Sequence, residues 1–319
     1  MTPADEILSP TPVSVVGVTS APIVEVDHFR MDFGSTTVIR DLSFEVRRGE
    51  TFGFLGSNGS GKTTTLRALL GIYRPTAGRL LIDGTPFDPD FAHRLGYLPE
   101  ERGLYKKESV IDVMTYFGRL KGLEKQKALS WSMEYLERVE IADKAKTRVD
   151  KLSGGQQQKV QLGVTIMNQP ELLILDEPTK GFDPVNRRLL MDIIDEQRAA
   201  GATVLMVTHQ MEEVERLCDR IILLKDGAAR AYGTVTEVQE EFGGLTITVD
   251  YIGTLPRSAD YAIASQGDGH AVLSVDTGAD LAGILRGLID AGLTVSRFEP
   301  RRRSLDDIFV EVYGEEEGE

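Results

Sequence analysis

The sequence has one cysteine, Cys218, far fewer basic than acidic side chains, and no apolar run near the length of a membrane span. One cysteine cannot form an internal disulfide, so the composition favours a reducing, cytosolic compartment. A net charge of −14 argues against nucleic-acid binding and against attachment to a membrane by charge alone. Without roughly 20 consecutive apolar residues, no membrane span is predicted. The N-terminal residues also lack the charged-then-apolar order of a signal peptide.

Length and a shift in composition predict two domains. A chain of 319 residues exceeds the usual size of a single core. Residues 1–22, rich in proline, serine, threonine and valine, are expected to form a flexible leader. We expect the main domain over residues 23–242, a compact α+β domain over residues 243–314, and a solvated acidic tail over residues 315–319.

The pattern of apolar residues predicts an α/β architecture for the main domain. Residues 23–54 alternate in character and contain turn signals, which is typical of an antiparallel layer. From residue 63 onward, helical patterns alternate with buried strand-like runs, which indicates a mostly parallel sheet. Residues from about 101 to 168 are expected to form a helical subdomain.

The smaller domain is predicted from shorter patterns. Strands are expected at residues 245–251, 270–275 and 293–298, with helices at residues 279–290 and 304–312. No phosphate-binding or metal-ligand spacing occurs there, so its chemistry is not indicated by sequence.

The segment from Gly56 to Thr63 reads GSNGSGKT and lies between a strand-like and a helix-like run. Its glycines allow successive backbone N–H groups to point at phosphate oxygens, and the following helix adds its positive N-terminal end. Lys62 is expected to reach the β- and γ-phosphates of a nucleotide, and the Thr63 hydroxyl to ligate Mg²⁺.

A second anion-receptive helix start is predicted at residues 152–156, which read LSGGQ. Ser153 occupies the expected N-cap position of the helix. Gly154 and Gly155 keep side chains away from whatever approaches that helix end. An ordinary capped helix remains the alternative for this segment alone.

Acidic residues and a histidine follow two neighbouring strand-like runs. Residues 171–177 form an apolar run ending in Asp176 and Glu177, which predicts a buried parallel strand. Asp176 is expected to hold Mg²⁺ directly or through water, and Glu177 to orient an attacking water as a general base. His209 ends the next run and is expected to contact the γ-phosphate. The alternatives are a simple turn cap for the acids and a structural histidine.

In this order, the motifs resemble the nucleotide-binding subunit of ATP-binding cassette (ABC) transporters, over residues 23 to about 235. Residues 56–63 match Walker A, residues 152–156 the signature, residues 172–177 Walker B with its catalytic glutamate, and residues 181–183 the D-loop. His209 matches the switch histidine. The resemblance implies a P-loop ATPase fold, with an antiparallel layer, a mixed mostly parallel sheet and a helical signature subdomain.

The same resemblance implies ATP and Mg²⁺ as cofactors and assigns residues to them. Phe33 would stack on adenine. The other residues implied in nucleotide binding are Gly56, Ser57, Asn58, Gly59, Ser60, Gly61, Lys62, Thr63, Thr64, Ser153, Gly154, Gly155 and Gln156. Catalytic roles are implied for Glu177, His209, Lys62, Glu100 and Asp183. The implied metal ligands are Thr63, Asp176 and Glu100.

Glu100 departs from the family pattern, because the family usually has glutamine at this position. The acid keeps oxygen ligands for Mg²⁺ or water, but it loses the amide donor and adds negative charge. The segment 97–105, YLPEERGLY, resembles the branch that contains sodium-export and drug-export ATPases with a C-terminal appendage. The resemblance to this branch implies export, and residues 304–309 resemble the closing motif of the appendage.

The resemblance also implies partners. In the family, the signature of one subunit closes over ATP held by the facing subunit, so Ser153 and Gly155 would contact the γ-phosphate in trans. We therefore expect a second cassette, in a homodimer or, as the less favoured form, a heterodimer. Two helix N-termini on opposite sides of a triphosphate would offset its negative charge, so that bound ATP would hold the two subunits together.

A separate integral-membrane permease is implied as well, with this chain on the cytoplasmic face of the membrane. The segment 100–107 would accept a coupling helix of the permease. Leu104 and Tyr105 would form the floor of this groove, while Arg102, Lys106 and Lys107 would pair with acidic groups. A solvated loop is the alternative for the two lysines. The C-terminal domain is expected to contact a partner subunit.

Two other function classes compete with this interpretation. A soluble ABC ATPase acting on DNA or ribosomes typically has two cassettes or a long coiled coil, and this sequence has neither. A GTPase switch normally uses an Asn/Thr-Lys-x-Asp loop, and residues 179–182 lack the final aspartate. Competition between ATP and GTP would separate the two nucleotide classes.

Overall fold

The structure is a computed structural model that describes residues 21–101, 103–276 and 278–314. Nearly all of the predicted leader, Arg102 in the predicted permease groove, and the predicted tail at residues 315–319 lie outside the described residues. Those expectations therefore stay predictions.

A nine-stranded sheet forms the centre of the main domain, in the order β4-β1-β2-β9-β8-β3-β7-β6-β5. Its strands are β1 (Val24–Phe33), β2 (Thr36–Val46), β3 (Thr51–Gly56), β4 (Ala77–Ile82), β5 (Leu95–Leu98), β6 (Leu172–Asp176), β7 (Thr203–Val207), β8 (Arg220–Lys225) and β9 (Ala228–Thr234). Adjacent strands within the series β8-β3-β7-β6-β5 run parallel to one another. In contrast, β1 pairs antiparallel with β2 and β4. The predicted combination of an antiparallel layer and a mostly parallel sheet is confirmed.

The parallel strands have mainly apolar centres because both of their faces are covered. In β6, Leu172 and Ile174 belong to the hydrophobic cluster shared with β1–β3 and the first helix. Leu173 and Leu175 alternate with them and belong to the cluster shared with the helical subdomain. A strand buried on both faces has no polar side to expose, which explains the unbroken apolar run.

The main domain also contains α-helices. They are α1 (Lys62–Leu69), α2 (Val110–Leu120), α3 (Lys125–Arg138), α4 (Gly154–Ile166), α5 (Pro184–Ala199), α6 (Met211–Leu217) and α7 (Val235–Glu241). Short 3₁₀ turns occupy Pro89–Arg94, Ala142–Lys144 and Val149–Lys151. Ser109 caps α2 and Ser153 caps α4 through side-chain oxygens, and Asp183 caps α5 before a first-turn proline.

Close packing of α3 on α4 holds the helical subdomain together. A Cβ atom on Gly163 would lie 2.4 Å from a ring carbon of Tyr135, so only glycine allows the two helices to approach this far. The buried Tyr135 hydroxyl then donates to the Lys159 carbonyl at 2.8 Å. This packing orients α4, and with it the helix start at Ser153.

A second sheet of four antiparallel strands, in the order β11-β12-β10-β13, forms the C-terminal unit. Its elements are β10 (Leu245–Ile252), β11 (Ala262–Gly267), β12 (His270–Val275), α8 (Leu281–Asp290), β13 (Thr294–Arg302) and α9 (Leu305–Gly314). Helix α8 covers this sheet through Ile284 and Leu288. The sequence analysis missed β11, whose mostly exposed residues show no alternation, and it missed α7.

Helix α9 leaves its own sheet and packs on the main domain. Leu305 and Ile308 are buried in a cluster with Met211 and Val214 of α6 and Leu223 of β8. This placement brings the last helix next to the carboxyl ends of the parallel strands, where the predicted site lies.

Candidate active site

A cavity of about 720 Å³ opens where β3, β6 and β7 end. Most residues of the predicted phosphate loop line it, namely Gly56, Ser57, Asn58, Gly59, Gly61, Lys62, Thr63 and Thr64. Glu100, Asp176, Glu177 and His209 line the same cavity. The structure therefore brings together side chains that are far apart in the sequence, as parallel strands ending at one sheet edge should do.

The phosphate loop owes its shape to its glycines. Gly59 and Gly61 have φ values of 82° and 106°, which favour glycine. A Cβ atom on Gly61 would also lie 2.2 Å from the Ile39 side chain. The buried Ser60 hydroxyl has no hydrogen-bond partner, which leaves one more donor within the loop. Helix α1 begins at Lys62, so its free N–H groups and positive end face the cavity.

Lys62 supplies a buried cation to the cavity. Its ammonium donates to the carbonyls of Gly56 and Ser57 at 2.7 and 2.9 Å. Burial lowers the pKa of Lys62, and the nearby carboxylates of Glu177, Asp176 and Glu100 oppose that shift. The ammonium thus lies within the loop, with negative charge on the facing strand.

Asp176 and Glu177 have different surroundings although they are adjacent. Asp176 ends β6 and is 2% exposed, and burial, with the charges of Glu100 and Glu177, raises its pKa to about 6. Glu177 has a φ of 52°, in the left-handed region that non-glycine residues rarely adopt. This turn directs its carboxylate to His209, whose Nδ1 lies 2.8 Å from Oε1. Backbone strain of this kind is common at functional sites.

Lys180 lies beside Glu100, a contact that sequence analysis did not predict. The Lys180 ammonium donates to Glu100 Oε1 at 2.6 Å, and both side chains line the cavity. The hydrogen bond to Glu100 raises the pKa of Lys180. Glu100, which stands where the family usually has glutamine, is therefore paired with Lys180 on the turn that follows Glu177.

The oxygen atoms at the cavity suit Mg²⁺ that is held jointly with phosphate oxygens. Among the described residues, no group of three or more metal-binding carboxylate, histidine or cysteine side chains occurs. Mg²⁺ is usually bound by one or two protein oxygens together with substrate phosphates and water. The Thr63 hydroxyl and the Asp176 carboxylate, with Glu100 nearby, match that requirement.

The signature residues lie in a different cavity, of about 560 Å³. Ser153, Gly154, Gly155 and Gln156 line it together with Asp183. Ser153 and Gln156 form reciprocal side-chain to backbone hydrogen bonds of 3.2 and 2.9 Å, which fix the start of α4. Within one chain, therefore, the signature does not meet Lys62.

Phe33 also does not line the phosphate cavity. Its ring is half exposed and meets the edge of Tyr73 with 5.3 Å between ring centroids. An exposed aromatic face at the end of β1 is compatible with base stacking, and its role stays a prediction.

Two further residues near the cavity were missed from sequence. Phe309 of α9 lines the cavity, and no local pattern in a helix distant in sequence could indicate this. Glu213 is fully buried and accepts hydrogen bonds from Thr179 and Thr208, which precede Lys180 and His209. Glu213 therefore joins the turn after Glu177 to the loop that carries His209.

Strand β3, the glycine-rich loop and helix α1 face the two acids Asp176 and Glu177. This combination defines a P-loop nucleotide-hydrolysing protein.

Comparison with known proteins identifies the family. Residues 39–180 match the family described as ABC transporter, and residues 233–313 match the DrrA1-3-like ATP-binding protein, C-terminal domain. The uncharacterized ABC transporter ATP-binding protein YhaQ of Bacillus subtilis is 35% identical over 298 residues, covering 92% of this chain and 99% of that protein. Nod factor export ATP-binding protein I of Ralstonia nicotianae is 38% identical over 244 residues, covering 75% and 76%.

A solved structure of an ATP binding subunit of an ABC transporter has a TM-score of 0.65 and 28% identity, covering 69% of this chain and 93% of that one. The chain belongs to the ATP-binding subunits of ABC transporters and is an ATPase of that family. The predicted family, fold class and activity are confirmed. Within the described part of the chain, no helix combines the length and apolar character needed to cross a membrane.

Proposed function

We propose that this chain is the ATPase subunit of a two-component exporter, cleaving Mg²⁺-bound ATP in the cavity around Lys62. The carrying observation is that Lys62, Asp176, Glu177 and His209 converge on one cavity beside the phosphate loop. Mg²⁺, when bound, would supply positive charge that offsets the charge developing on the phosphates.

Each side chain has a role that follows from its position. Lys62 and the N-terminal end of α1 would bind the β- and γ-phosphates. Thr63 and Asp176 would hold Mg²⁺, with Glu100 as a further oxygen ligand. Glu177 would accept a proton from the attacking water.

His209 would support Glu177 rather than act alone. The 2.8 Å contact between its Nδ1 and Glu177 Oε1 fixes the direction of the carboxylate. In that arrangement the imidazole would be a positioning group for the base and would contact the γ-phosphate.

A second cassette is part of the proposal, because each chain carries half of what the reaction needs. The signature lies in its own cavity beside Asp183, so a facing subunit would supply Ser153 and Gly155 to the γ-phosphate. Loss of that shared phosphate would let the subunits separate. We favour a homodimer.

Export and the permease partner are supported by the relatives. The names of the relatives include Nod factor export and linearmycin resistance ATP-binding proteins. A separate membrane subunit would then carry the substrate, and this chain would lie on the cytoplasmic face of the membrane.

The permease would dock beside α2. Tyr105, 53% exposed, contacts the rings of Tyr116 and Phe117 at centroid distances of 5.6 and 5.8 Å, above the buried Leu104. An exposed aromatic group of this size is typical of a binding surface. The exposed Lys106 next to it could pair with acidic groups of a partner.

Replacing Tyr105 by alanine is expected to weaken permease binding about 10-fold or more, because aromatic anchors dominate interfaces. The measurement is co-purification with the co-expressed multi-span protein, alongside the ATPase rate of the isolated chain, which should not change. Ile72→Ala, which truncates an exposed apolar residue of the main domain just past α1, is the matched control. Equal recovery of the permease with Tyr105→Ala would contradict the docking site.

Replacing Glu100 by glutamine is expected to keep the ATPase rate within about fivefold, since exposed ion pairs contribute little. The amide retains an oxygen for Mg²⁺ or water, and the change removes a carboxylate whose charge acts on Asp176. Steady-state hydrolysis and nucleotide binding are measured together. Complete loss of hydrolysis with intact nucleotide binding would show that the acid itself is required.

A further inference from the structure

Helix α9 of the C-terminal unit contacts the surroundings of the phosphate cavity through Phe309 and Tyr313. Phe309 lines the phosphate cavity, and Tyr313 lies at the end of β8, next to the strand that leads into the phosphate loop. The helix is held there by buried side chains, with Ile308 only 1% exposed.

The Tyr313 hydroxyl connects β8 with the phosphate loop. It donates a hydrogen bond to the carbonyl of Leu224, the residue that pairs with Gly56 in the sheet. Burial raises the pKa of Tyr313, so the hydroxyl stays protonated and able to donate. One hydroxyl therefore contacts the end of β8 directly beside Gly56, the first residue of the loop.

Further contacts hold both ends of α9 against the main domain. At its start, the Leu305 N–H donates to Glu215 Oε1 of α6 at 3.0 Å. At its end, the Lys225 ammonium donates to the Val312 carbonyl at 2.7 Å, a favourable place for a cation beside a helix C-terminus. Helix α6 begins two positions beyond His209, so α9 packs on the helix that follows this histidine.

We infer that α9 completes the nucleotide site of its own chain, with Phe309 and Tyr313 as positioning residues for the phosphate loop. Tyr313 fixes the start of the loop against β8, and Phe309 closes the adjoining side of the cavity. Neither residue takes part in proton transfer. The inference rests on the proposed nucleotide site, and it gives the C-terminal unit a role in positioning the phosphate loop of that site.

Coupling between α9 and nucleotide is then reciprocal. If a docked α9 strengthens nucleotide binding, bound nucleotide must strengthen the docking of α9 by the same factor. A helix that merely stabilises the fold would show no such link.

The first test compares variants of the full-length chain. Tyr313→Phe and Phe309→Leu should each raise the Kd of a fluorescent ATP analogue about 3–10-fold, the effect of losing one positioned contact. The turnover number at saturating ATP should stay within about twofold, because the reacting groups are unchanged. Val310→Ala, on the same helix but 68% exposed, is the control and should match the parent chain.

Thermal unfolding separates loss of positioning from loss of folding. A raised Kd in variants that melt at the parent temperature supports the inference. An unchanged Kd in both variants, or a rise as large in Val310→Ala, would overturn it.

The second test measures hydrogen exchange of residues 305–314 with and without Mg²⁺ and a non-hydrolysable ATP analogue. Exchange should slow on nucleotide addition in the parent chain and not in Lys62→Ala, which is expected to bind poorly. Unchanged exchange in a parent chain that demonstrably binds nucleotide would refute the role of α9 and leave the proposed function intact. A parent chain that binds no nucleotide would refute the proposed function itself.

Discussion

Replacing Glu177 by glutamine is expected to reduce ATP hydrolysis about 10²–10⁴-fold while ATP remains bound. The amide nearly preserves the shape of the side chain but cannot accept a proton from water. Its oxygen can still meet His209, so the local geometry should survive. Because the phosphates stay uncleaved, the two cassettes should remain joined by ATP.

Two measurements on the purified chain check this expectation: steady-state hydrolysis, and light scattering with ATP and Mg²⁺. Glu177→Gln should give a dimer that the parent chain forms only transiently. Glu212→Gln, which removes an exposed acid near the same site, is the matched control and should hydrolyse normally. Near-normal hydrolysis by Glu177→Gln would refute the general-base role. A chain that stays monomeric at high concentration would count against the homodimer.

Replacing Lys62 by alanine is expected to lower ATP hydrolysis about 10²–10³-fold and to weaken nucleotide binding. The ammonium is buried within the phosphate loop and faces the carboxylates of Asp176 and Glu177. Without the ammonium, less positive charge would offset the repulsion between the triphosphate and these carboxylates. The cost is large because a buried charge is poorly replaced by water.

Hydrolysis rates and titration with a fluorescent ATP analogue measure both effects. Lys127→Ala, an exposed lysine of α3, controls for the general loss of positive charge. Turnover by Lys62→Ala at the parent rate would refute the proposed nucleotide site, since no other residue lies in the loop with the same reach. The melting temperature should change little, because the site contributes few apolar contacts.

Local elements of this protein could be predicted because their causes are local. The strand, loop and helix around Gly56 follow from an apolar run, from glycines with positive φ, and from a helix that starts at Lys62. The start of α4 follows from a serine cap and its reciprocal partner at Gln156. The buried strand β6 follows from an apolar run covered on both faces. Family resemblance, fold class and ATPase activity followed from the order of these motifs.

The elements that the sequence analysis missed have weak local patterns and depend on contacts with distant segments. Strand β11 is mostly exposed and lacks alternation, so its pairing with β12 depends on a neighbour that the sequence does not indicate. Helix α7 has only Val238 buried and therefore little amphipathic character. Strand β13 extends to Arg302, past the apolar residues that predict it, because β10 pairs with it along this length.

By itself the sequence determined the chemical groups of this protein. Short motifs of local origin indicate the phosphate loop, the paired acids, the histidine and the second capped helix start. Only the tertiary structure decided which of them share a cavity, that Glu100 meets Lys180, and that Phe309 and Tyr313 lie beside the phosphate loop. The reason is that short-range patterns depend on backbone geometry within a few residues. Contacts between distant segments depend instead on how whole layers pack, and no single motif encodes that.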